Sequence, residues 1–378
     1  MHKHLTIGIL GGGQLARMSA QAASRLGIRT AILEREECSP AGQLTHQEFV
    51  GWVDNEELVT QFAHACGVVT LENEFIDYRR LEFIESLGRE VVPSSAVIAR
   101  IQDKFIQKET LAQHGIPVPL FLPVTRETSW KELRARLGSP VVMKSRKMGY
   151  DGYGNAMVRS QASFDAARQK LSARHAQLMA EEFVDFTMEL AVMVVRTKKE
   201  TRAYPVVQTI QKDHICSMVI APAPIDRTTA QRAAHIAIAA VEAVGGMGLF
   251  GVEMFITSDN EILVNEMAPR PHNSGHYTIE GCVTSQFENH VRAVLGLPLG
   301  STSMLAPYAV MVNLLGSKTP KPGTANLVTA LRNEHAHFHL YGKAASRPGR
   351  KMGHVTVLGS SLPELLTEAR RLQKAIHI

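Results

Sequence analysis

The sequence predicts a mixed α/β and α+β fold in three parts, and two patterns and one bulk property lead to that prediction. Over the first hundred residues, short apolar segments alternate with helix-like segments, which is typical of a parallel sheet with helices between its strands. Farther along, longer apolar strands follow a glycine-rich turn. With 378 residues, 45% of them hydrophobic, the chain is long enough to bury two or three cores.

Composition narrows the classes of function. The 41 Lys and Arg against 36 Asp and Glu leave a formal net charge of +5, without a long basic run. We therefore expect local anion sites rather than bulk binding of nucleic acid. The four cysteines form no C-x-x-C pair, which argues against a zinc knuckle or a disulfide framework. No signal peptide or membrane-spanning segment is visible, so the sequence predicts a cytoplasmic protein with no membrane partner.

The first strand, residues 5–10, leads into a glycine-rich loop at residues 11–16 that fits the pattern G-x-G-x-x-A. Such a loop presents backbone N–H groups to a phosphate, and Glu34 ends the second strand where a dinucleotide-binding fold places its ribose acid. The pattern alone fits a nicotinamide enzyme, a site for a simple phosphate ester, or a tight turn without a ligand. The helix after the loop has one apolar face, formed by Leu15, Met18, Ala22 and Leu26.

Periodicity and turn residues predict the remaining elements. A long helix starts at the cap Thr228 or Thr229 and ends at Gly245. Strands at 250–256 and 262–265 pair as an antiparallel hairpin through a turn at 258–260. Other helices are expected at 163–171, 286–295 and from residue 362. Other strands are expected at 30–33, 68–71, 91–92, 141–144, 190–195, 203–209, 214–220, 309–315, 337–341 and 354–358.

Two glutamates interrupt the apolar strands of this hairpin. Glu253 and Glu266 each stand among apolar neighbours, where an unpaired carboxylate is costly to bury. Two carboxylates on adjacent strands can converge on one hard cation, and magnesium that bridges nucleotide phosphates is the usual occupant. The alternative is a pair of acids that faces solvent or pairs with Arg270.

Lys144 ends an apolar strand just before a second glycine-rich turn at residues 149–154. A cation beside a glycine-rich cover is a common way to hold nucleotide phosphates, and a solvated lysine is the alternative. The acids Glu181, Glu182 and Glu189 follow on the next strands. They either border a nucleotide or flank an edge strand at the surface.

The segment from Ala268 to His276 is dense in hydrogen-bond donors and is bounded by Pro and Gly. Such a loop suits a small oxyanion, such as bicarbonate or a phosphate, although a polar turn and a structural role for His276 are the alternatives. A cationic cluster around a Pro-Gly turn near the C-terminus can grip a phosphomonoester or remain solvated. Its members are Lys343, Arg347, Arg350 and Lys351. The alternating His335, His337 and His339 indicate an exposed strand face rather than a metal site.

Together these segments resemble the ATP-grasp superfamily over nearly the whole chain, and within it they are most similar to the 5-(carboxyamino)imidazole ribonucleotide synthetases. The most specific stretches are residues 11–15, 149–152, 265–276 and 347–354. The resemblance implies a Rossmann-like pre-ATP-grasp domain at 1–102 and an ATP-grasp domain at 103–298, with a lid subdomain at about 115–185. It also implies a C-terminal domain at 299–378 that completes the substrate site.

The resemblance further implies roles for individual residues. Magnesium, as one or two ions, would be held by Glu253 and Glu266. Catalytic roles would fall to Arg270, His272, Asp151, Tyr150 and Lys343. ATP would be bound by Arg100, Lys144, Gly149, Tyr150, Asp151, Gly152, Gly154, Asn155, Glu181, Glu182, Phe183, Val184, Glu189, Gln211, His214, Asn265 and Glu266. The ribonucleotide would be bound by Gly13, Gln14, Leu15, Glu74, Asn273, Ser274, Lys343, Arg350 and Lys351.

The reaction that the resemblance implies is the carboxylation of 5-aminoimidazole ribonucleotide in purine biosynthesis, with ATP and with bicarbonate as co-substrate, through carboxyphosphate. Arg270 would stabilise the charge on carboxyphosphate, and His272 would orient or deprotonate a reactant. Tyr150 and Asp151 would position the substrate amine. The family also implies a homodimer and no nucleic-acid partner.

Three positions depart from the family pattern, and one of them, Ala16 where glycine is frequent, should not disturb the first glycine loop. Tyr153 stands where the covering loop usually has an arginine, and Arg146 or Lys147 could supply the missing charge. Gln211 stands where a histidine often contacts the nucleotide, with His214 three residues on. Three alternative functions stay open at this point: the formate-dependent glycinamide ribonucleotide transformylase reaction, an NAD-linked oxidoreductase, and a catalytically inactive ATP-binding regulator.

Overall fold

The computed structural model describes residues 5–147, 154–173, 175–316, 328 and 331–376. The N-terminal lobe is a parallel sheet in the order β3-β2-β1-β4-β5. This order puts the loops after β1 and β4 side by side at the carboxyl edge of the sheet, where α/β folds bind ligands. The strands are β1 (Thr6–Leu10), β2 (Arg29–Glu34), β3 (Gln47–Val50), β4 (Val68–Leu71) and β5 (Glu90–Val91). The helices are α1 (Gln14–Arg25), α2 (Glu56–Ala65), α3 (Tyr78–Ser86) and α4 (Ser95–Ile101), and a short 3-10 turn spans Gly42–Leu44.

A small antiparallel sheet forms the second layer, in the order β6-β9-β7-β8. One face of it is covered by two helices through a cluster of buried apolar side chains that includes Leu133 and Phe164. The strands are β6 (Phe121–Val124), β7 (Val141–Ser145), β8 (Asn155–Val158) and β9 (Leu178–Glu182). The covering helices are α6 (Trp130–Leu137) and α7 (Gln161–Ser172), and α5 (Lys104–Gln113) leads in from the N-terminal lobe.

A large sheet of nine described strands runs in the order β15-β14-β10-β12-β13-β16-β18-β17, with β11 paired to β10. The C-terminal strands β16 to β18 therefore extend the central sheet rather than form one of their own. The strands are β10 (Phe186–Arg196), β11 (Thr201–Ala203), β12 (Val207–Lys212), β13 (Ile215–Ala221), β14 (Gly248–Thr257), β15 (Ile262–Ala268), β16 (Tyr308–Leu315), β17 (Ala336–Leu340) and β18 (Lys351–Gly359). Its helices are α8 (Arg227–Ala243), α9 (Thr278–Gly281), α10 (Gln286–Val294) and α11 (Leu362–Ala375), and a 3-10 turn spans Asn273–Gly275.

Three sequence expectations about elements were wrong. The strand expected at 203–209 is broken between β11 and β12, because Pro205 lacks the N–H that a continuous ladder needs. Helix α8 is capped by Asp226, which accepts from the N–H of Thr229, and not by Thr228 or Thr229. Leu26 lies past the end of α1 and is exposed rather than on its buried face.

Candidate active site

Two carboxylates face each other on the hairpin that the sequence predicts. Glu253 on β14 and Glu266 on β15 are direct cross-strand partners, and the register of the two strands shifts immediately after them. Their side chains are 26% and 37% exposed, so both are reachable from outside. Burial and the charge of Glu266 raise the pKa of Glu253. A divalent cation between them would remove that repulsion, as expected of two carboxylates that bind magnesium.

Lysines from two elements, α5 and β7, lie close to these acids. Lys104, at the start of α5, forms an ion pair with Glu266, and this charge lowers the pKa of Glu266 although burial opposes it. Lys144 on β7 donates to Glu181 Oε2 at 2.7 Å and to Asn265 Oδ1 at 3.3 Å. The small and the large sheet thus present cations and carboxylates to one cleft, where nucleotide phosphates could replace the internal partners.

Lys104, rather than the expected Arg100, joins this cluster. The Arg100 guanidinium donates to the carbonyl of Val244 at the C-terminal end of α8, where it satisfies a helix-end acceptor. Lys104 stands four residues farther along, at the start of the next helix, α5. Lys108 follows at the next turn, with Nζ 3.5 Å from Glu181 Oε1, and burial lowers the pKa of Lys108 to about 8. The spacing of four residues that places both lysines on one helix face is visible in the sequence and was the signal to use.

The expected adenine-side residues divide into two groups. The carboxylate of Glu181 is buried against Lys108 and Lys144, so only the backbone beyond it is free to border a base. Glu182 accepts from the N–H of Leu120 at 2.8 Å, while Phe183 is exposed and Val184 is partly buried. This segment joins β9 to β10 at the edge of the small sheet.

Glu189, Gln211 and His214 lie together on β10, β12 and the turn that follows β12. Glu189 on β10 pairs in register with Thr209 on β12 and hydrogen-bonds the side chains of Thr209 and Gln211. His214 stands in the left-handed region (φ 63°) in the turn between β12 and β13, and its charge acts on Glu189. Burial raises the pKa of Glu189 despite these contacts. The arrangement suits hydroxyl groups that share hydrogen bonds with a carboxylate.

Arg270 connects the central sheet to the N-terminal lobe. Its guanidinium holds Glu74 in a bidentate ion pair, with Nε to Oε2 at 2.6 Å and Nη2 to Oε1 at 3.1 Å. Glu74 lies just after β4, and Arg270 lies just after β15. Both side chains are about five-sixths buried, and although burial opposes it, the carboxylate of Glu74 raises the pKa of Arg270. The two expected site residues therefore meet at the junction of the lobes.

His272 is held as a neutral ring. Its Nδ1 lies 2.7 Å from Ser274 Oγ and accepts from the Ser274 N–H, so the proton resides on Nε2. Nε2 lies 3.5 Å from Glu253 Oε1. Burial, with the nearby charges of Arg270 and Lys351, lowers the pKa of His272 to about 3. The ring is placed to donate a hydrogen bond and is a weak base in this state.

Asn273 and Ser274 support the loop from inside. The amides of Asn273 and Asn313 exchange hydrogen bonds at 2.9 Å and 2.6 Å, and both residues are buried. Ser274 is buried beside His272. The structure thus brings both residues to the site as supports, and their contact with the ribonucleotide stays a prediction.

The C-terminal cations approach the same cleft. Lys343 Nζ donates to the carbonyl of Lys351 at 2.7 Å and lies 5.6 Å from the ring centre of Tyr341. Lys351 opens β18, and its charge acts on both Glu253 and His272. Arg350 donates to the carbonyl of Ala345 at 2.7 Å. The binding of a phosphate by these cations stays a prediction.

The N–H groups of the glycine loop at residues 11–16, which we expected to bind a phosphate, donate to two carboxylates of the protein instead. The N–H groups of Gly13 and Leu15 donate to the carboxylate of Glu72, and that of Gly12 donates to Glu34 at 2.7 Å. A Cβ at Gly13 would lie 2.3 Å from Glu72 Oε1, so only glycine admits this carboxylate. The end of α1 is thus already neutralised by the protein. A substrate phosphate here would have to displace Glu72, and the roles of Gly13, Gln14 and Leu15 stay predictions.

Part of the covering loop lies outside the described residues, namely Gly149, Tyr150, Asp151, Gly152 and Tyr153. Of its described end, the carbonyl of Gly154 accepts from Ser145, and Asn155 pairs in register with Lys144. Arg146, one of the two candidates for the missing arginine, forms a bidentate pair with Asp103. Lys147 donates to Gln102 Oε1 at 3.0 Å. Neither is directed by those contacts toward the carboxylate pair.

The described residues contain no group of three or more His, Cys, Asp or Glu that could hold a metal ion. A metal at Glu253 and Glu266 would therefore take its other ligands from substrate or water, as magnesium usually does. The described helices include none that is long and apolar enough to cross a bilayer.

The two-sheet cleft, its lysines and its carboxylate pair define the class of ATP-grasp ligases, and comparison with known proteins agrees. The ATP-grasp domain matches residues 109–287, the ribonucleotide synthetase preATP-grasp domain matches 4–102, and the phosphoribosylaminoimidazole carboxylase C-terminal domain matches 309–368. The chain is 41% identical over 370 residues to the N5-carboxyaminoimidazole ribonucleotide synthase of Synechococcus elongatus, covering 97% of this chain and 93% of that protein. The chain belongs to the N5-carboxyaminoimidazole ribonucleotide synthase family.

Solved structures and longer relatives fit the same assignment. The Aspergillus clavatus carboxyaminoimidazole synthase in complex with ADP and 5-aminoimidazole ribonucleotide has a TM-score of 0.92 and 40% identity, over 99% of each chain. The phosphoribosylaminoimidazole carboxylase of Saccharomyces cerevisiae is 43% identical over 95% of this chain but only 64% of its own length. The chain thus spans about two thirds of such relatives.

Family membership confirms several predictions. The fold is the expected mixture of a parallel N-terminal sheet and antiparallel ATP-grasp sheets. The chain is an ATP-dependent ligase of purine biosynthesis. The NAD-linked interpretation of the glycine loop finds no support, because Glu34 and Glu72 occupy the N–H groups that a dinucleotide would need.

Proposed function

We propose that the chain carboxylates the exocyclic amine of 5-aminoimidazole ribonucleotide, with bicarbonate as the carbon source and ATP as the activating agent. The observation that carries this proposal is the meeting of the Glu253–Glu266 pair with Arg270 and His272 at the lobe junction. The Aspergillus clavatus structure, which is named as a complex with ADP and this ribonucleotide, supports the same substrate.

Nucleotide phosphates would be held by lysines that now neutralise internal acids. Lys104 and Lys144 lie on Glu266 and Glu181, so their ammonium groups are placed and desolvated before ATP arrives. Glu253 and Glu266 would hold magnesium, which would supply charge neutralisation at the phosphates. Glu189, with Gln211 and His214, would accept the ribose hydroxyls.

The first step would join bicarbonate to the γ-phosphate of ATP, with release of ADP. A bicarbonate oxygen forms the new bond to phosphorus, and the resulting carboxyphosphate carries charge that Arg270 is placed to stabilise. His272, neutral and proton-bearing on Nε2, would orient a reactant by donating a hydrogen bond.

The second step would transfer the carboxyl group to the substrate amine. The carbon–oxygen bond of carboxyphosphate breaks and phosphate leaves with the bicarbonate oxygen, while the amine nitrogen bonds to carbon and loses a proton. Lys343, Arg350 and Lys351 would hold the 5′-phosphate, since the charge of Lys351 acts on Glu253 and Lys343 contacts Lys351. Tyr150 and Asp151 would position the amine.

Oxygen labelling tests this sequence of bonds. With ¹⁸O-bicarbonate, unlabelled ATP and the ribonucleotide, one labelled oxygen should appear in each inorganic phosphate released, as read by mass spectrometry. Phosphate that carries no label from bicarbonate, and takes its oxygen from water instead, would exclude carboxyphosphate. A reaction that proceeds with formate in place of bicarbonate would favour the transformylase alternative.

We also propose a cytoplasmic homodimer. The four cysteines are all free, which suits a reducing compartment. Light scattering should give twice the chain mass of 41.5 kDa, and a mass equal to one chain would contradict the dimer.

A further inference from the structure

A cluster of three imidazole rings and one phenol ring lies directly behind the loop that carries Arg270 and His272. We call it the imidazole cluster, and its members are His276, His339 and His354, with Tyr341 packed against them. The rings of His276 and His354 are 5.0 Å apart between centroids, and those of His339 and His354 stack at 4.5 Å. His276 and His354 have no exposed surface. The expectation of an exposed strand face at 335–339 is therefore wrong for His339, which packs inward and pairs with Glu280.

One end of the cluster holds the backbone of the active-site loop. The Gln286 side chain accepts from the N–H of His272 at 3.0 Å and donates to its carbonyl at 2.8 Å. The same amide nitrogen lies 3.1 Å from His276 Nδ1. An amide nitrogen can only donate, so His276 Nδ1 accepts and the ring proton stands on Nε2. His276 thus fixes the amide that fixes His272.

The other end of the cluster holds the segment with the C-terminal cations. His354 Nδ1 is 2.9 Å from the hydroxyl of Tyr341. Tyr341 lies two residues before Lys343 and stacks beneath its ammonium group at 5.6 Å. His354 itself stands on β18, the strand that Lys351 opens. The cluster therefore spans the distance between the loop of the ATP-grasp module and the cationic C-terminal segment.

The polarity of the cluster is more than packing requires. His276 Nε2 and His354 Nε2 are buried and have no hydrogen-bond partner among the described residues. Burying such atoms costs free energy that an apolar ring of similar size would not cost. Burial also lowers the pKa of both rings well below the ordinary value, so both are neutral. Neutral rings keep hydrogen-bond directions without adding a charge beside Arg270 and Lys351.

We propose that His276 and His354 are positioning residues for the ribonucleotide site. His276 acts on His272 through Gln286, and His354 acts on Lys343 through Tyr341. Their contact fixes the spacing between the reacting end and the phosphate end of the substrate. This inference rests on the proposed function for its substrate, but the geometry of the cluster is independent of it.

The first test uses ring replacements that keep volume. His276→Phe and His354→Phe should each raise KM for 5-aminoimidazole ribonucleotide about tenfold, the scale of one lost hydrogen bond, with KM for ATP changed less than about twofold. His337→Phe, the same change at an exposed site on the neighbouring strand, should alter neither constant. An equal rise in the KM values for ATP and for the ribonucleotide would overturn the proposal. So would an unchanged KM for the ribonucleotide in folded variants.

The second test does not need turnover. Hydrogen exchange of the segment 270–276 should become about tenfold faster in His276→Phe, because the Gln286 amide that accepts from the N–H of His272 loses its partner. Exchange of the segment 341–351 should become about tenfold faster in Tyr341→Phe, because His354 loses its hydroxyl partner. Tyr341→Phe removes only a hydroxyl and keeps the packed ring, so it disturbs the fold least among these variants. Exchange that matches His337→Phe would overturn the proposal. Absence of turnover in the unchanged chain would contradict the proposed function alone.

Discussion

The site is built from residues whose charges are unfavourable without a ligand. Glu253 and Glu266 stand opposite each other, and the repulsion between them is offset in part by the ion pair of Glu266 with Lys104 and by the charge of Lys351. Such an arrangement persists in a protein when a cation and phosphates complete it. The pairing of two strand glutamates was readable from the sequence because each interrupts an apolar strand. The spacing of Lys104 and Lys108 shows that they share a helix face, but the sequence does not show that this face meets Glu266, which depends on how α5 packs against β15.

Replacing one metal carboxylate should abolish turnover without unfolding the chain. Glu266→Gln keeps shape but removes a negative ligand, and we expect kcat to fall by about 100-fold or more, with an unchanged thermal midpoint. Glu261→Gln is the matched control, since Glu261 is exposed in the turn before β15. Full magnesium-dependent activity in Glu266→Gln would contradict the assignment of Glu266 as a magnesium ligand.

Lys104 and Arg100 give a paired prediction. Lys104→Met should raise KM for ATP by about tenfold, because a placed cation at the phosphates is lost. Arg100→Met should leave KM for ATP unchanged, since that side chain caps the end of α8. Steady-state kinetics with varied ATP separates them. The reverse order of effects would restore Arg100 as the phosphate ligand.

Helices and strands with a clear local sequence pattern were predictable. Elements whose local pattern is overridden by one residue or by packing against another strand were not. The hairpin of β14 and β15 appears where the turn residues predict it, and α10 appears at 286–294 against an expected 286–295. The strand expected at 203–209 failed because apolarity outweighed Pro205 in the sequence interpretation. His339 was misjudged because alternation along β17 cannot show that β18 and Glu280 cover it.

The cap of α8 provides a test at this scale. Asp226→Ala removes the carboxylate that accepts from Thr229, so the urea midpoint of unfolding should fall. Thr228→Ala, at a residue that the sequence offered as the cap, should leave the midpoint close to its original value. An equal fall in both variants would show that Asp226 is not the operative cap.

On the scale of the whole molecule, the C-terminal segment and the N-terminal lobe close around one cleft. Gln43 of the N-terminal lobe donates to the carbonyl of Gly342 at 3.1 Å, and Arg270 reaches Glu74 from the central sheet. The strands β16 to β18 continue the central sheet, so the domain boundary that we place at 299 marks a change of role rather than a separate sheet. No local pattern in the sequence predicts such a continuation, because it depends on pairing between β13 and β16.

Buried histidines should make the folded chain sensitive to acid. Burial lowers the pKa of His290 to about 4, so it stays neutral in the folded state while the unfolded state binds a proton below about 6.5. Its contribution to stability is therefore complete above pH 6.5 and declines as the pH falls toward 4. Between pH 7 and 5.5 this residue alone should cost about 1.4 kcal/mol.

Urea unfolding at the two pH values measures this effect. His290→Gln should reduce the loss of stability on acidification by about the same 1.4 kcal/mol, whereas His337→Gln, at an exposed site, should not. A free energy of unfolding that is constant between pH 7 and 5.5 would contradict the neutral, buried state of these rings.

The decisive experiment on the proposed carboxylation is ADP release from magnesium ATP and bicarbonate, measured with and without 5-aminoimidazole ribonucleotide. We predict release that depends on the ribonucleotide, because we propose that Lys343 and Lys351 bind that substrate and the charge of Lys351 acts on Glu253. Release that does not respond to the ribonucleotide, from a folded chain that binds ATP, would contradict it.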